Sequence, residues 1–286
     1  MILASIHWDP HPIMFYLPYL NWPVRWYGFF FAFGFFLAYY LIKSLFESNG
    51  VSNEKARSLT DKLCWFSVFG TILGARLGHI LFYDIQHYIE NPLNILKTWE
   101  GGLASHGGVI GILIALWFYY LYVLKKELPD WSFLRLLDQY SVAVPLAAFF
   151  IRLGNFFNQE IIGTPTQLPW GVYFGHPYEG YPWISYHPTQ MYEGVAYLIT
   201  FAALMYFWTQ RRKSLNDGYI TGMFFILVFG SRFILEFLKA PQGGVSAEAY
   251  LQMGQILSLP CIILGLVLIS YARRPKASMD PESRIR

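Results

Sequence analysis

Charge is what this sequence has least of. Asp, Glu, Lys and Arg make up 14% of its 286 residues, whereas a water-soluble chain carries about 25% to clothe its surface. That shortfall excludes one large soluble domain or two ordinary ones. Cysteine is scarcer still: Cys64 and Cys261 both sit in apolar runs and read as small buried hydrophobes, so neither a disulfide nor a CxxC redox site is indicated. The first 25 residues hold no basic n-region and no small-residue cleavage site, so no removable signal peptide is expected. Several catalytic signatures are missing as well. There is no HExxH, no GxSxG, no P-loop and no Cys/His cluster with metal spacing, so neither a resident metal nor a nucleotide cofactor is expected. His7, His11, His79, His87, His176 and His187 are too scattered to form an obvious ligand set.

What is abundant is apolar surface, at 55% hydrophobic and 20% aromatic residues. Seven uncharged stretches run through the chain, the longest being Gly101–Leu124 and Ala249–Ala272. Since crossing the hydrocarbon takes about 20 helical residues, they predict an all-α membrane protein of seven helices, near 24–44, 63–84, 104–124, 137–152, 190–209, 218–238 and 250–272. Fifteen Lys and Arg fall in the segments 43–62, 125–138, 211–217 and 273–286, against four in the alternate segments. The basic side is cytoplasmic, which places the N-terminus outside and the polar tail 273–286 inside. The net charge of +3 is then a topology signal, and nucleic acid is not an expected partner. Trp26, Trp99, Trp131, Trp183 and Trp208 sit at segment ends, where an interfacial belt places them. The chain reads as one integral membrane domain, with a Gly-, Pro- and aromatic-rich stretch, 153–186, as a small cap between the fourth and fifth helices. Gly70, Gly74 and Gly78 in the second helix, with Gly107 and Gly111 in the third, predict close helix packing within the chain.

Three apolar stretches end on an arginine. Arg76, Arg152 and Arg232 are the fourteenth or fifteenth residues of their segments, about 20 Å from the cytoplasmic edge and so in the outer third of the bilayer. An Arg facing lipid costs roughly 2.5 to 3.5 kcal/mol, so these should face inward, toward carboxylates such as Glu236, four residues after Arg232, or toward a shared anion. Arg's planar fork suits phosphate, and at that depth phosphate belongs to lipid headgroups.

Two blocks complete the pattern. Glu100-Gly-Gly-Leu-Ala-Ser-His106-Gly107-Gly108-Val-Ile-Gly111 surrounds a histidine with glycines at a helix mouth, which admits close approach to backbone and offers N–H donors. Arg152-Leu-Gly-Asn155-Phe-Phe-Asn158-Gln-Glu160-Ile-Ile-Gly163 is followed by His187-Pro-Thr-Gln-Met-Tyr-Glu193. With Trp26-Tyr27-Gly28, Gly-Ala-Arg76-Leu-Gly, Asp138 before the fourth helix and Arg232-Phe-Ile-Leu-Glu236-Phe, they span nearly the whole chain and resemble the bacterial prolipoprotein diacylglyceryl transferase family.

The resemblance implies a multi-pass enzyme of the bacterial cytoplasmic (inner) membrane, with its site toward the outer leaflet. Such enzymes transfer the diacylglyceryl group of phosphatidylglycerol to the lipobox cysteine thiol of a prolipoprotein signal peptide and release glycerol 1-phosphate. It also implies functional positions: His106, Arg152 and Arg232 as catalytic residues, and Tyr27, Asn155, Asn158, Glu160, Gly163 and Glu236 as substrate-binding ones. Arg76, Gly107, Gly108, Asp138, His187 and Glu193 would support them. One departure stands out, because Val228-Phe-Gly-Ser231 lies where many members carry a Tyr-Gly pair, so no phenolic hydroxyl can act there. The chemistry suits the residues: His106 as base for the thiol, Arg152 and Arg232 for the phosphate, Glu160 and Glu236 to orient those arginines, Tyr27 and Asn155 for the glycerol. The competing expectation is a lipid or anion transporter with an arginine-lined passage.

Overall fold

The computed structural model describes residues 6–98, 101–211, 214–240 and 251–273. Trp99, Glu100 and the tail beyond Arg273 lie outside the described residues. Strands β1 (Ile6–Trp8), β2 (Ile13–Leu17) and β3 (Trp22–Arg25) precede helices α1 (Trp26–Ser48), α2 (Asn53–Tyr83) and α3 (Ile85–Glu90). Next come α4 (Ser105–Tyr119), continued through a π turn into α5 (Lys125–Glu127), and α6 (Phe133–Phe157). Strands β4 (Val172–Phe174) and β5 (Ser185–Tyr186) lead to α7 (Thr189–Tyr206), α8 (Tyr219–Leu235) and α9 (Met253–Ala272). Among the described residues, seven helical stretches are long and apolar enough to cross a membrane, the third being the continuous Ser105–Glu127.

The expected helices are all present, with displaced ends. Helix α2 starts ten residues before the expected position 63, because Glu54, Lys55, Arg57, Asp61 and Lys62 ride on a helical extension. Charge marks the edge of an apolar run, not the end of hydrogen bonding. Helix α6 likewise carries Arg152 inside it and runs on to Phe157. Short strands accompany the helices: β1 pairs parallel with β4, which pairs antiparallel with β5, and β2 and β3 form a hairpin. The cap expected between the fourth and fifth helices therefore includes the N-terminal segment. Its core is Phe156, Ile162, Val172, Phe174 and Tyr186 with Trp8 and Met191, and Trp8 Nε1 donates to the Phe156 carbonyl at 3.0 Å. Asp9 meets His176 Nδ1 at 2.7 Å, and that hydrogen bond holds the Asp9 carboxyl below its usual pKa.

The chain divides into two compact units, one formed by residues up to Ala38 and from Leu137 onward, the other by Tyr39–Leu136. In the second unit, α2 and α4 meet through glycine. A Cβ on Gly78 would stand 2.6 Å from Gly107 Cα, and one on Gly74 would stand 2.6 Å from Gly111 Cα, so the expected small-residue pairing holds within the chain. In the first unit the same device joins α8 to α9, where a Cβ on Gly222 would meet the Gly265 carbonyl at 2.8 Å.

The N-cap of α8 is Gly218, left-handed at φ +95° and without a side chain to cap. Asp138, fully buried in α6, does that work: it accepts from Gly218 N at 2.9 Å and from Thr221 N and Oγ1 at 2.8 Å each. Asp138→Ala would leave three donors without this acceptor, and a loss of about 2–4 kcal/mol is expected. A lowered melting temperature in detergent, with turnover per folded molecule retained, would bear out this capping role; an unchanged melt would refute it.

Candidate active site

The first unit's polar centre begins at the end of α6. Gln159 and Ile161 are left-handed, at φ 55° and 58°, a conformation costing a non-glycine residue roughly 1–2 kcal/mol. Gln159 N donates to Phe156 O at 3.1 Å and Glu160 N to Asn155 O at 3.1 Å, the paired bonds of a Schellman motif with Gln159 in the place glycine usually takes. Its side chain accounts for the choice: Gln159 is buried, and its Oε1 accepts from His176 N at 2.7 Å. The motif folds Glu160 back over Asn155. The next block then clamps the loop, as Gln190 Nε2 donates to Glu160 O at 2.6 Å and Thr189 Oγ1 to Ile161 O at 2.9 Å.

A chain of charge-assisted contacts results. Arg152 Nη1 donates to Asn155 Oδ1 at 3.1 Å, and Asn155 Nδ2 donates to Glu160 Oε1 at 2.6 Å. Arg152 Nε meets Glu193 Oε2 at 2.7 Å, and the guanidinium lies within electrostatic reach of the Tyr197 hydroxyl. Glu193 Oε1 meets Lys239 Nζ at 2.8 Å, and Lys239 reaches Glu236 Oε2 at 3.2 Å. Tyr27 is set beside Arg152 and Glu160 because Gly154 lets α1 approach: a Cβ on Gly154 would stand 3.0 Å from the Tyr27 ring. The sequence expectation that Glu160 and Glu236 orient the arginines is modified here. Glu160 reaches Arg152 only through Asn155, and the carboxylate on Arg152 is Glu193. Glu236 turns to Lys239 and to the first turn of α9, where a Cβ on Gly254 would stand 2.6 Å from Glu236 Oε2; the positive end of that helix favours it.

Arg232 consequently has no carboxylate partner among the described residues, although it lies within electrostatic reach of Tyr197. It is partly exposed. Asn158 Oδ1 and Gln190 Oε1 are buried acceptors with no hydrogen-bond partner among the described residues. Gly163 joins three segments: its N–H donates to His187 O at 2.9 Å, Thr164 N donates to Leu238 O at 2.8 Å, and Gly163 bridges Lys239. A Cβ on Gly163 would stand 2.6 Å from both His187 Cβ and Leu238 O, so only glycine closes this junction. Burial holds the His187 imidazole below its usual pKa, and its Nδ1 lies 3.2 Å from the Tyr192 hydroxyl.

The second unit holds Arg76, His106, Gly107 and Gly108. Arg76 is buried, as expected of an inward-facing arginine, but its partners are backbone carbonyls and not a carboxylate or a shared anion. Its Nε donates to Ile95 O at 3.0 Å, Nη1 to Gly101 O at 2.7 Å and Gly102 O at 3.2 Å, and Nη2 to Asn94 O and to Lys97 O at 3.2 Å. Those are all five donors of a guanidinium, and the group also stacks over Tyr88 at 4.9 Å. Arg76 therefore pins the loop leading to α4 by its backbone carbonyls. Gly107 is part of the α2–α4 contact, and Gly108 touches Ala75 and Thr71 at ordinary distances. His106, exposed in the first turn of α4, packs edge-on against Phe82 at 5.1 Å and against Tyr83 at 5.8 Å; its nitrogens have no hydrogen-bond partner among the described residues.

Two residues of the first unit's network carry no expectation from the sequence. Tyr197 offered no signal within an apolar run. Lys239 did offer one, since it lies three residues after Glu236 and is the only basic residue in 239–252.

Comparison with known proteins converges on one family. The prolipoprotein diacylglyceryl transferase model matches residues 12–271. The chain is 39% identical over 272 residues to the phosphatidylglycerol–prolipoprotein diacylglyceryl transferase of Tolumonas auensis, covering 95% of this chain and 99% of that one. It is 40% identical over 279 residues to the protein of the same name from Chlamydia pneumoniae, covering 93% and 95%. With the Protochlamydia amoebophila protein of that name, identity is 50% over 211 residues, which is 74% of this chain and 56% of that relative.

Proposed function

Because the chain belongs to the prolipoprotein diacylglyceryl transferase family, we propose that it transfers the diacylglyceryl group of phosphatidylglycerol to the lipobox cysteine of a prolipoprotein. The thiol sulfur bonds to glycerol C3 of the diacylglyceryl group, the C3–O bond to phosphate breaks, and glycerol 1-phosphate leaves with that electron pair. The thiol proton passes to His106, whose nitrogens are open to a substrate. Membership supplies the reaction class, and one observation carries the site assignment: Arg232, at the edge of a polar centre in which Arg152 is tethered by Glu193 and Asn155, has no carboxylate to neutralise it among the described residues. An unneutralised guanidinium at membrane depth calls for an anion, and the phosphodiester of the donor lipid provides one. Asn155 and Tyr27 beside Arg152 suit the glycerol hydroxyls. The bias of Lys and Arg to alternate segments supports a cytoplasmic-membrane location with the site toward the outer leaflet.

The test mixes purified protein with phosphatidylglycerol and a lipobox peptide. The expected products are the thioether-linked diacylglyceryl peptide and an equal amount of glycerol 1-phosphate, with neither formed from a Cys-to-Ser peptide. Phosphatidylglycerol translocation without either product would favour a transporter and overturn the reading.

A further inference from the structure

Lys239 belongs to neither the expected phosphate ligands nor the expected base, yet it is 3% exposed and its side chain is engaged by two carboxylates. We propose that Lys239 is a positioning residue that frees Arg152 for the lipid phosphate by occupying Glu193. Glu193 divides its two oxygens, Oε2 to Arg152 Nε at 2.7 Å and Oε1 to Lys239 at 2.8 Å. With Oε1 held, Glu193 can take only one edge of the guanidinium, and Nη1 stays turned to Asn155. Without Lys239, Oε1 would be a buried charge with no counter-ion, and the bidentate fork that carboxylates favour with Arg would draw Arg152 toward Glu193.

Charge balance points the same way. The first unit's polar centre holds three carboxylates, Glu160, Glu193 and Glu236, and three cations, Arg152, Lys239 and, at its edge, Arg232. Removing the ammonium leaves an excess of negative charge in a place of low dielectric that must admit a phosphodiester anion. The backbone fixes Lys239 where it can do this. Lys239 N donates to Glu236 O at 3.1 Å, and the Gly163–Lys239 bridge ties the residue to the loop that also carries Glu160.

The inference rests on the transferase reading, and the assay separates the two. No turnover by the unaltered protein would defeat the reading itself. If that protein turns over, Lys239→Met should raise the KM for phosphatidylglycerol by about tenfold or more and leave the KM for the lipobox peptide unchanged, whereas a purely structural defect would move both. Lys239→Arg should return the lipid KM to within about threefold of the unaltered value, since it keeps the charge. The double variant Lys239→Met/Glu193→Gln restores the balance of charge and puts a neutral amide where the released carboxylate would fork onto Arg152, and should recover most of the lost lipid affinity. An unchanged lipid KM in Lys239→Met, or a double variant no better than the single, would overturn the proposal. Should Lys239→Met fail to accumulate, the double variant decides: folded with a near-normal lipid KM it supports the proposal, and unfolded or still impaired it overturns it.

Discussion

Arg232→Met should lower kcat/KM for phosphatidylglycerol by about 10²–10³-fold, the usual cost of one preorganised donor to a developing anion, and leave the melting temperature unchanged. Both halves follow from the same geometry. Arg232 meets no carboxylate among the described residues and is partly exposed, so its removal leaves no buried ion without a partner. Arg152 is the contrasting case. Its side chain is 14% exposed and that of its partner Glu193 only 1%, so Arg152→Met leaves a buried carboxylate short of a counter-ion, at a cost of about 3–5 kcal/mol. Activity and stability should fall together at 152, and activity alone at 232. Melting curves and turnover on the same preparations check the pair. Turnover of Arg232→Met within tenfold of the unaltered enzyme would remove this guanidinium from the phosphate site.

The second large effect is expected at His106. His106→Gln should cut kcat by about 10²–10⁴-fold, the range for loss of a positioned base, with phosphatidylglycerol binding retained because the phosphate ligands lie on other helices. The pH profile tells loss of a base from loss of shape. A free cysteine thiol with a pKa near 8.5 is roughly 3% ionised at pH 7. Without an enzymic base the residual rate should follow the thiolate fraction, rising about tenfold per pH unit until that pKa is reached. The unaltered enzyme, deprotonating the thiol in the transition state, should show a flatter dependence over the same range. Parallel profiles for the two proteins would show that His106 does not take the proton.

The sequence made the seven crossings legible because charge is so rare that each uncharged run stands out. It misplaced the ends of α2 and α6 because a helix continues past the edge of its apolar run wherever backbone hydrogen bonds persist. The partners of Arg76 were illegible for a chemical reason: they are carbonyls of residues 94, 95, 97, 101 and 102, and backbone acceptors leave no mark in residue types. Lys239 counted as a loop charge because the helical path of α8 carries on through a short 3-10 turn, Glu236–Leu238, placing it one turn beyond Glu236. The family motifs picked out Gly163 and Asp138, but their physical roles appear only when distant segments meet. Gly163 allows the segments around His187 and Leu238 to close on its own loop, and Asp138 caps a helix whose own N-cap is a glycine. The Arg152–Asn155–Glu160 sequence was accessible in principle, since i and i+3 share a helix face, but the turn-back at Gln159 was not.

The parallel pairing of β1 with β4 orders events in time as well as in space. Ile6–Trp8 is made well before its register partners, Val172–Phe174, which follow only after four membrane-length helices have been synthesised. During that interval β1 presents an open edge, and a three-residue strand is too short to hold structure alone. Trp8 cannot reach the Phe156 carbonyl until α6 has been made. The loop carrying Gln159 and Glu160 is braced through this same cap, so a nascent chain acquires its membrane crossings well before its chemistry. A delay between insertion and competence is thereby written into the order in which the ribosome delivers the two strands.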